Sequence, residues 1–365
     1  MYPNGRRASG DKPKKIKSNL TIDDSDDRQK KASAMPVFYV VNYEEGGYSV
    51  VSADDRLGPI LATVEKGEDI EKQSELPGGL LLWMFSTKEQ IQNIRKRKVS
   101  IKGSSSGRVN ATKDRILSEV SPLLRTQWDQ GCTFNDNTPA CGSGGRCGHT
   151  LTGCVATAMA QVIRYWGMRN PSFRTPFLYD WSSMPVGSSP TDGGNSGSPE
   201  IARLMLDAGR EVGTDYGCGS SGASRNDVAP ALKSKFGFAS ANLREYRPFE
   251  VANSLRQGWP VILAGCSDSG EFLWWRWGKG SCHAWVCDGY QAIETTGNEV
   301  CYYDEYDSWY CYTPTVTYHR FWMNWGWGGS HNGWFTETYF GSDINHQPMP
   351  ADYKSHRNEI VDIHP

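Results

Sequence analysis

The sequence predicts an α+β protein in two parts, a small α+β unit followed by a larger one whose helices precede its strands. Three observations carry this. A β-hairpin pattern and one amphipathic helix occupy residues 36–95. Residues 96–113, KRKVSIKGSSSGRVNATK, are basic, rich in Gly and Ser and free of apolar periodicity, as linkers are. Beyond them, helical periodicity at 154–166, 199–209 and 226–236 gives way to strand-like runs, the order expected of an α+β domain.

Residues 1–35 are charged and poor in large apolar side chains, and read as disordered or as an appended remnant. Order is expected from PVFYVVNYEEGGYSVVSADDR onward, where Phe38–Val41 and Tyr48–Ser52 flank a Glu-Glu-Gly-Gly turn. A helix over Leu80–Arg97 follows, with Leu81, Phe85, Ile91 and Ile94 on its apolar face. The linker 96–113 is an easy proteolytic target, and the second unit takes residues 114–365. In it, Thr152 is the expected N-cap of a helix with Ala156, Met159, Ala160 and Ile163 at helical spacing, stopped by Gly167 and Pro171. Ile201, Leu204, Met205 and Ala208 form one face of the next helix. Strands are expected at Pro260–Ala264, His283–Asp288, Val300–Tyr303, Tyr318–Asn324 and Trp334–Phe335.

Composition narrows the function classes. With 39 Lys and Arg against 41 Asp and Glu, the net charge of −2 carries no polyanion-binding signature, which argues against a nucleic-acid partner. No run of 18 apolar residues is present, so no membrane span is expected. The first residues, MYPNGRRASGDKPKKIKSN, lack the apolar stretch of a signal peptide, which leaves a cytosolic protein or one whose export signal lies outside this sequence. Ten cysteines in 365 residues do not decide the compartment.

One of those cysteines has a chemically special place. Cys154, in TGCVATAMAQVIRYWG, falls in the first turn of a helix, where free backbone N–H groups and the helix dipole favour an anion. The thiolate is the nucleophilic form, so this position lowers the thiol pKa and raises its reactivity. Gly153 leaves room for a carbonyl to approach, and the N–H of Cys154 is placed to bind an oxyanion. A single cysteine is nevertheless more often a buried, inert residue, and a nucleophile needs a base.

Seven histidines are available. His346, His356 and His364 lie in a polar C-terminal tail, His149 in a Gly-rich loop, and His319 and His331 beside an aromatic strand and turn. His283 differs, because in SCHAWVCDGY it opens an apolar strand on which His283, Trp285 and Cys287 share one face. In FWMNWGWGGSHNGWF, the polar Asn324 needs a partner if buried. Its oxygen on the far ring nitrogen of His283 would complete a nucleophile–base–orienter set, with Trp325 and Trp327 keeping water off that bond.

Taken together, GCVATAMAQVIRYW, CHAWVCDGY and NWGWGGSHNGWF resemble the streptopain-like cysteine peptidases, a bacterial branch of the papain superfamily. WDQGCTFN, LMLDAG and DYGCGSSGAS match in the family's order, and residues 36–95 resemble its inhibitory propeptide. The resemblance implies a papain-like fold with a helical part carrying the cysteine and an antiparallel β part carrying the histidine. It implies Cys154 as nucleophile, His283 as general base and acid, Asn324 as orienting residue and Gln130 as an oxyanion-hole side chain. Ser221, Gly222 and Cys282 would line the substrate cleft, walled by Trp325 and Trp327. The implied protein is a secreted endopeptidase made as a zymogen, acting on proteins or peptides without metal or cofactor and held by its own propeptide. Cys282 departs from the family's usual Gly before the histidine, and the loop holding EFLWWRW is long; both bear on substrate preference.

Three rival readings make different demands. Cys132, Cys141, Cys147 and His149 have an irregular zinc-like spacing without a C-x2-C knuckle, and fit disulfides or thiols as well. Cys301 and Cys311 suit a local disulfide or two thiols. WWRW and NWGWGG would suit an aromatic binding platform, which has no need of the Cys154/His283 pair. An acyltransferase would keep the same site and pass the acyl group to an amine.

Overall fold

The computed structural model describes residues 14–24, 35–54, 60–73, 75–96, 114–187, 198–267, 270–272, 275–277, 281–296, 300–303, 309–312, 315–337 and 356–365. All but the first residue of the expected linker 96–113 lies outside them. The N-terminal unit is built from β1 (Ile16–Asp23), β2 (Pro36–Tyr43), β3 (Tyr48–Ser52), β4 (Ile60–Val64) and α1 (Gly78–Lys96). The second contains β5 (Arg115–Val120), α2 (Cys154–Arg169), α3 (Pro199–Glu211), α4 (Val228–Phe236), β6 (Ser240–Glu245), α5 (Pro248–Arg256) and β7 (Val261–Ser267). It continues through β8 (Gly270–Phe272), β9 (Trp275–Trp277), β10 (Ser281–Thr296), β11 (Val300–Tyr303), β12 (Trp309–Tyr312), β13 (Thr315–Asn324), β14 (Gly333–Thr336) and β15 (His356–His364).

The two units share one antiparallel sheet. Its order is β1-β2-β3-β4-β14-β13-β10-β7-β15-β6, with β5 also paired to β10. The join is β4 on β14, where Ala62, Thr63 and Val64 face Phe335, Trp334 and Gly333. Strand alternation then assigns residues to two cores. Leu263, Trp285, Cys287 and Met323 pack with Leu80, Leu82 and Trp83 of α1 and with α5. Ile262, Ala264, Ala284 and Val286 pack on the other face against α2, α3 and α4. The N-terminal unit therefore shares a core with the face of the sheet that carries Trp285.

Several elements differ from the sequence reading. Residues 16–23, read as disordered, form β1; it is an edge strand whose charged residues face outward while Ile22 is buried. The polar tail holding His356 and His364 contains β15, which pairs with both β6 and β7 and buries Ile360, Val361 and Ile363. His346 lies outside the described residues. Gly167 does not stop α2; the indole of Trp181 packs on it and the helix runs on to Arg169. The cap of α2 is Gly153, not Thr152, whose hydroxyl instead meets that of Thr157 at 2.9 Å.

Six cysteines form disulfides: Cys132–Cys147, Cys141–Cys218 and Cys266–Cys282. This removes the zinc reading of Cys132, Cys141, Cys147 and His149, because a thiol committed to a disulfide is no thiolate ligand. Among the described residues Cys154 and Cys287 are free. Cys301 and Cys311 lie opposite each other in the β11–β12 pair.

Candidate active site

Gly153 enters α2 with φ 88°, a left-handed conformation that favours glycine. A Cβ on it would lie 3.2 Å from the carbonyl oxygen of Ser221, so the loop carrying Ser221 and Gly222 runs directly beside the entry to the helix. That loop is held by the Asp215–Gly222 bridge and by Ser221 Oγ, which accepts from the Gly217 N–H at 3.0 Å. On the other side, the carbonyl of Gln130 accepts from the Thr152 N–H at 3.0 Å. The fold thus closes the 24-residue gap in sequence and places Gln130 next to the turn that carries Cys154.

Cys154 is half-buried, and its Sγ accepts from the Ala284 N–H at 3.4 Å, which brings the start of β10 against the start of α2. Burial works against the thiolate. The charge and hydrogen bond of His283 and the N–H groups of Ala284 and Val155 outweigh it, so the thiol pKa falls below its ordinary value. Reciprocally, burial disfavours the His283 cation, but Cys154 and the Trp325 carbonyl bring its pKa above the ordinary value. Thiolate and imidazolium are therefore stabilised together.

The group that orients His283 is a main-chain atom. Its Nε2–H donates to the carbonyl of Trp325 at 3.1 Å, which fixes the tautomer and leaves Nδ1 for the thiol proton. Asn324, expected in this place, directs its amide N–H groups to the Thr126 carbonyl at 2.8 Å and to Gln161 Oε1 at 3.0 Å. Register explains the difference. Asn324 pairs with Val286, whose side chain faces α2, whereas His283 shares the opposite face with Trp285. Asn324 still acts nearby, since its Oδ1 accepts from the Gly326 N–H at 3.2 Å and so braces the turn that presents the Trp325 carbonyl. Gln161, fully buried in α2, was missed; its signal was a glutamine among apolar helix positions.

Of the expected cleft walls, Cys282 is exposed and tied to Cys266, and Trp327 is half-buried. The indole of Trp325 is buried, with Trp285 and Phe335 as ring neighbours at 5.4 and 5.1 Å. What covers it is α1. A Cβ on Gly78 would lie 3.2 Å from His283 Cβ, and one on Gly79 only 2.5 Å from the Trp325 ring. Leu82 packs on Gly265, the cross-strand partner of His283, and Trp83 Nε1–H donates to the Thr336 carbonyl at 3.0 Å. The glycine pair lets the helix start lie flush on the histidine and its aromatic support.

A second contact ties the N-terminal unit to the same turn. His331 Nδ1 lies 3.2 Å from Tyr48 Oη, its N–H donates to the Lys66 carbonyl, and its ring lies beside Gly67. Burial lowers its pKa to about 4, with the Glu68 carboxylate opposing the shift. A histidine held neutral in the contact and free to ionise near 6.5 once exposed weakens the contact as pH falls. The hold of the N-terminal unit is expected to be full above about pH 6.5 and to fall by up to about tenfold per pH unit down to about 4. The pH dependence of the lag before self-processing, compared between wild type and His331→Gln, reads this. A wild-type lag with the same acid slope as the variant would contradict it.

A thiol with a lowered pKa at a helix start, paired with a strand histidine and covered by a separate N-terminal unit, is the arrangement of a cysteine peptidase with its inhibitory propeptide in place. The chain belongs to the Peptidase C10 family, which it matches over residues 128–335, and residues 7–91 match the Spi protease inhibitor. It is 27% identical to streptopain of Streptococcus pyogenes over 337 residues, which are 81% of this chain and 73% of streptopain. It is 25% identical to the thiol protease/hemagglutinin PrtT of Porphyromonas gingivalis over 338 residues, spanning 82% of this chain but only 33% of PrtT. A fragment of prointerpain A from Prevotella intermedia shares its fold, with a TM-score of 0.58 at 24% identity over 90% of this chain and 96% of the fragment.

Proposed function

We propose that this chain is a secreted endopeptidase precursor in which Cys154 is the nucleophile and His283 the general base and acid. The observation that supports this most is the thiol paired with the His283 ring at the N-terminus of α2. The thiolate attacks the peptide carbonyl carbon, forming a C–S bond and an oxyanion that accepts from the Cys154 N–H and the Gln130 side chain. Collapse breaks the C–N bond while the imidazolium gives its proton to the leaving amine. Water, deprotonated by His283, then attacks the thioester, and the thiol leaves with the returned proton. Asn324 acts as a positioning residue through Gly326, and Ser221, Gly222, Cys282 and Trp327 line the cleft. Three disulfides fit an oxidising compartment, in keeping with secretion.

The propeptide inhibits by seating α1 on His283 and Trp325, and cleavage in the basic linker 96–113 releases it. Incubated full-length wild type is expected to yield a fragment beginning near 105–118, read by mass spectrometry, while Cys154→Ala folds and stays full length. Equal processing of both would remove Cys154 from the reaction. Product analysis with and without an added amine separates hydrolysis from acyl transfer.

A further inference from the structure

We propose that Arg225 is a specificity residue that binds an acidic side chain on the acyl side of the scissile bond; this rests on the peptidase reading above. Arg225 opens the short 3-10 turn Arg225–Asp227, directly after the Ser221 loop. Its side chain is half-buried and one N–H donates to Cys266 Sγ at 3.0 Å. Cys266 is bonded to Cys282, the residue before His283. A closed ring of contacts results: Gly153, the residue before Cys154, against Ser221, the chain on to Arg225, then Cys266, Cys282, His283 and Ala284 back to the Cys154 sulfur. Arg225 thus bridges the helical wall and the β wall at one end of the cleft.

Which end follows from the chemistry. The leaving amine takes its proton from His283, so the amine side of a substrate lies over that ring, where Gly78 now sits. The acyl side runs the other way from the Cys154 sulfur, along the Ser221 loop toward Arg225.

The guanidinium is short of partners. It carries five N–H donors, and among the described residues its side-chain hydrogen bond is to a disulfide sulfur, a weak acceptor. No carboxylate pairs with it among the described residues, whereas Arg95 and Arg203 each have one and Arg244 has two. A half-buried cation with open donors at the end of a peptide cleft is complementary to a carboxylate, and a planar fork matches it in two bonds.

The test uses full-length protein allowed to self-process, then peptides differing only by Glu, Gln or Lys at each of the positions before the scissile bond. Wild type is expected to cleave the Glu peptide about tenfold faster in kcat/KM than its Gln counterpart at one position. Arg225→Gln should bring the Glu-to-Gln ratio of kcat/KM to about one, Arg225→Lys should keep part of the preference, and Arg225→Glu should turn it toward Lys. Turnover without any acidic preference, or a preference unchanged in Arg225→Gln, overturns the assignment and leaves the peptidase reading intact. Absence of peptide turnover in wild type would instead overturn that reading and the assignment with it.

Discussion

Alanine in place of His283 is expected to lower kcat/KM by about 10³- to 10⁴-fold, with KM nearly unchanged. The ring serves twice in the proposed cycle, keeping the thiol charged for attack and then protonating the amine, and neither use holds the substrate. The peptide itself would be held by the Ser221 loop and the main chain of β10, which the substitution leaves alone, so the loss belongs in kcat. Cys154→Ala removes the acyl acceptor and leaves only background. Because neither variant should process itself, both are to be processed in trans by wild-type enzyme before steady-state kinetics are measured. A His283→Ala enzyme within about tenfold of wild type would exclude His283 from proton transfer.

The second large effect concerns release of the propeptide. Valine at Gly79 would press its side chain into the Trp325 and Trp285 rings, which lie within 2.5 and 2.9 Å of a Cβ there. Both rings are buried. Overpacking of this kind costs about 1–3 kcal/mol, which weakens the seat of α1 by about 5- to 150-fold. Helix propensity does not offset this strongly, since glycine and valine are both poor helix formers. The lag before self-processing of the full chain should shorten sharply, with no change in kcat once processing is complete. An unaltered lag would mean that the contact over His283 and Trp325 is not what restrains the enzyme.

Much of this was legible in the sequence, and the exceptions share causes. The hairpin at Glu44–Gly47, the face alternation of β10 and the helix start at Cys154 all follow from short-range pattern, and all stand in the structure. β1 and β15 escaped notice because edge and sheet-joining strands carry charges on one side, so IKSNLTID and HRNEIVDIH read as polar tails. The two-residue start of α1 at Gly78–Gly79 was invisible for a different reason. Glycine is a poor helix former, and only the close approach of His283 and Trp325 explains it. The orienting group was unreadable in principle, because a main-chain carbonyl leaves no residue-type signal. Asn324 drew attention by its polarity, yet its register with Val286 sends it to Gln161. Disulfide pairing likewise depends on long-range topology, which spacing does not supply.

The central claim is that Cys154 and His283 form a thiolate–imidazolium pair. The rate of alkylation of Cys154 by iodoacetamide, followed against pH in self-processed enzyme, measures the thiolate directly. Cys287, buried in the core and with its pKa raised, should not react while the protein is folded. For wild type the rate should rise with an inflection below the ordinary thiol value of about 8.5. In trans-processed His283→Ala the inflection should move above it, because burial then acts without the imidazolium. An inflection at the ordinary value in wild type, unmoved by His283→Ala, would contradict the pair and the mechanism built on it.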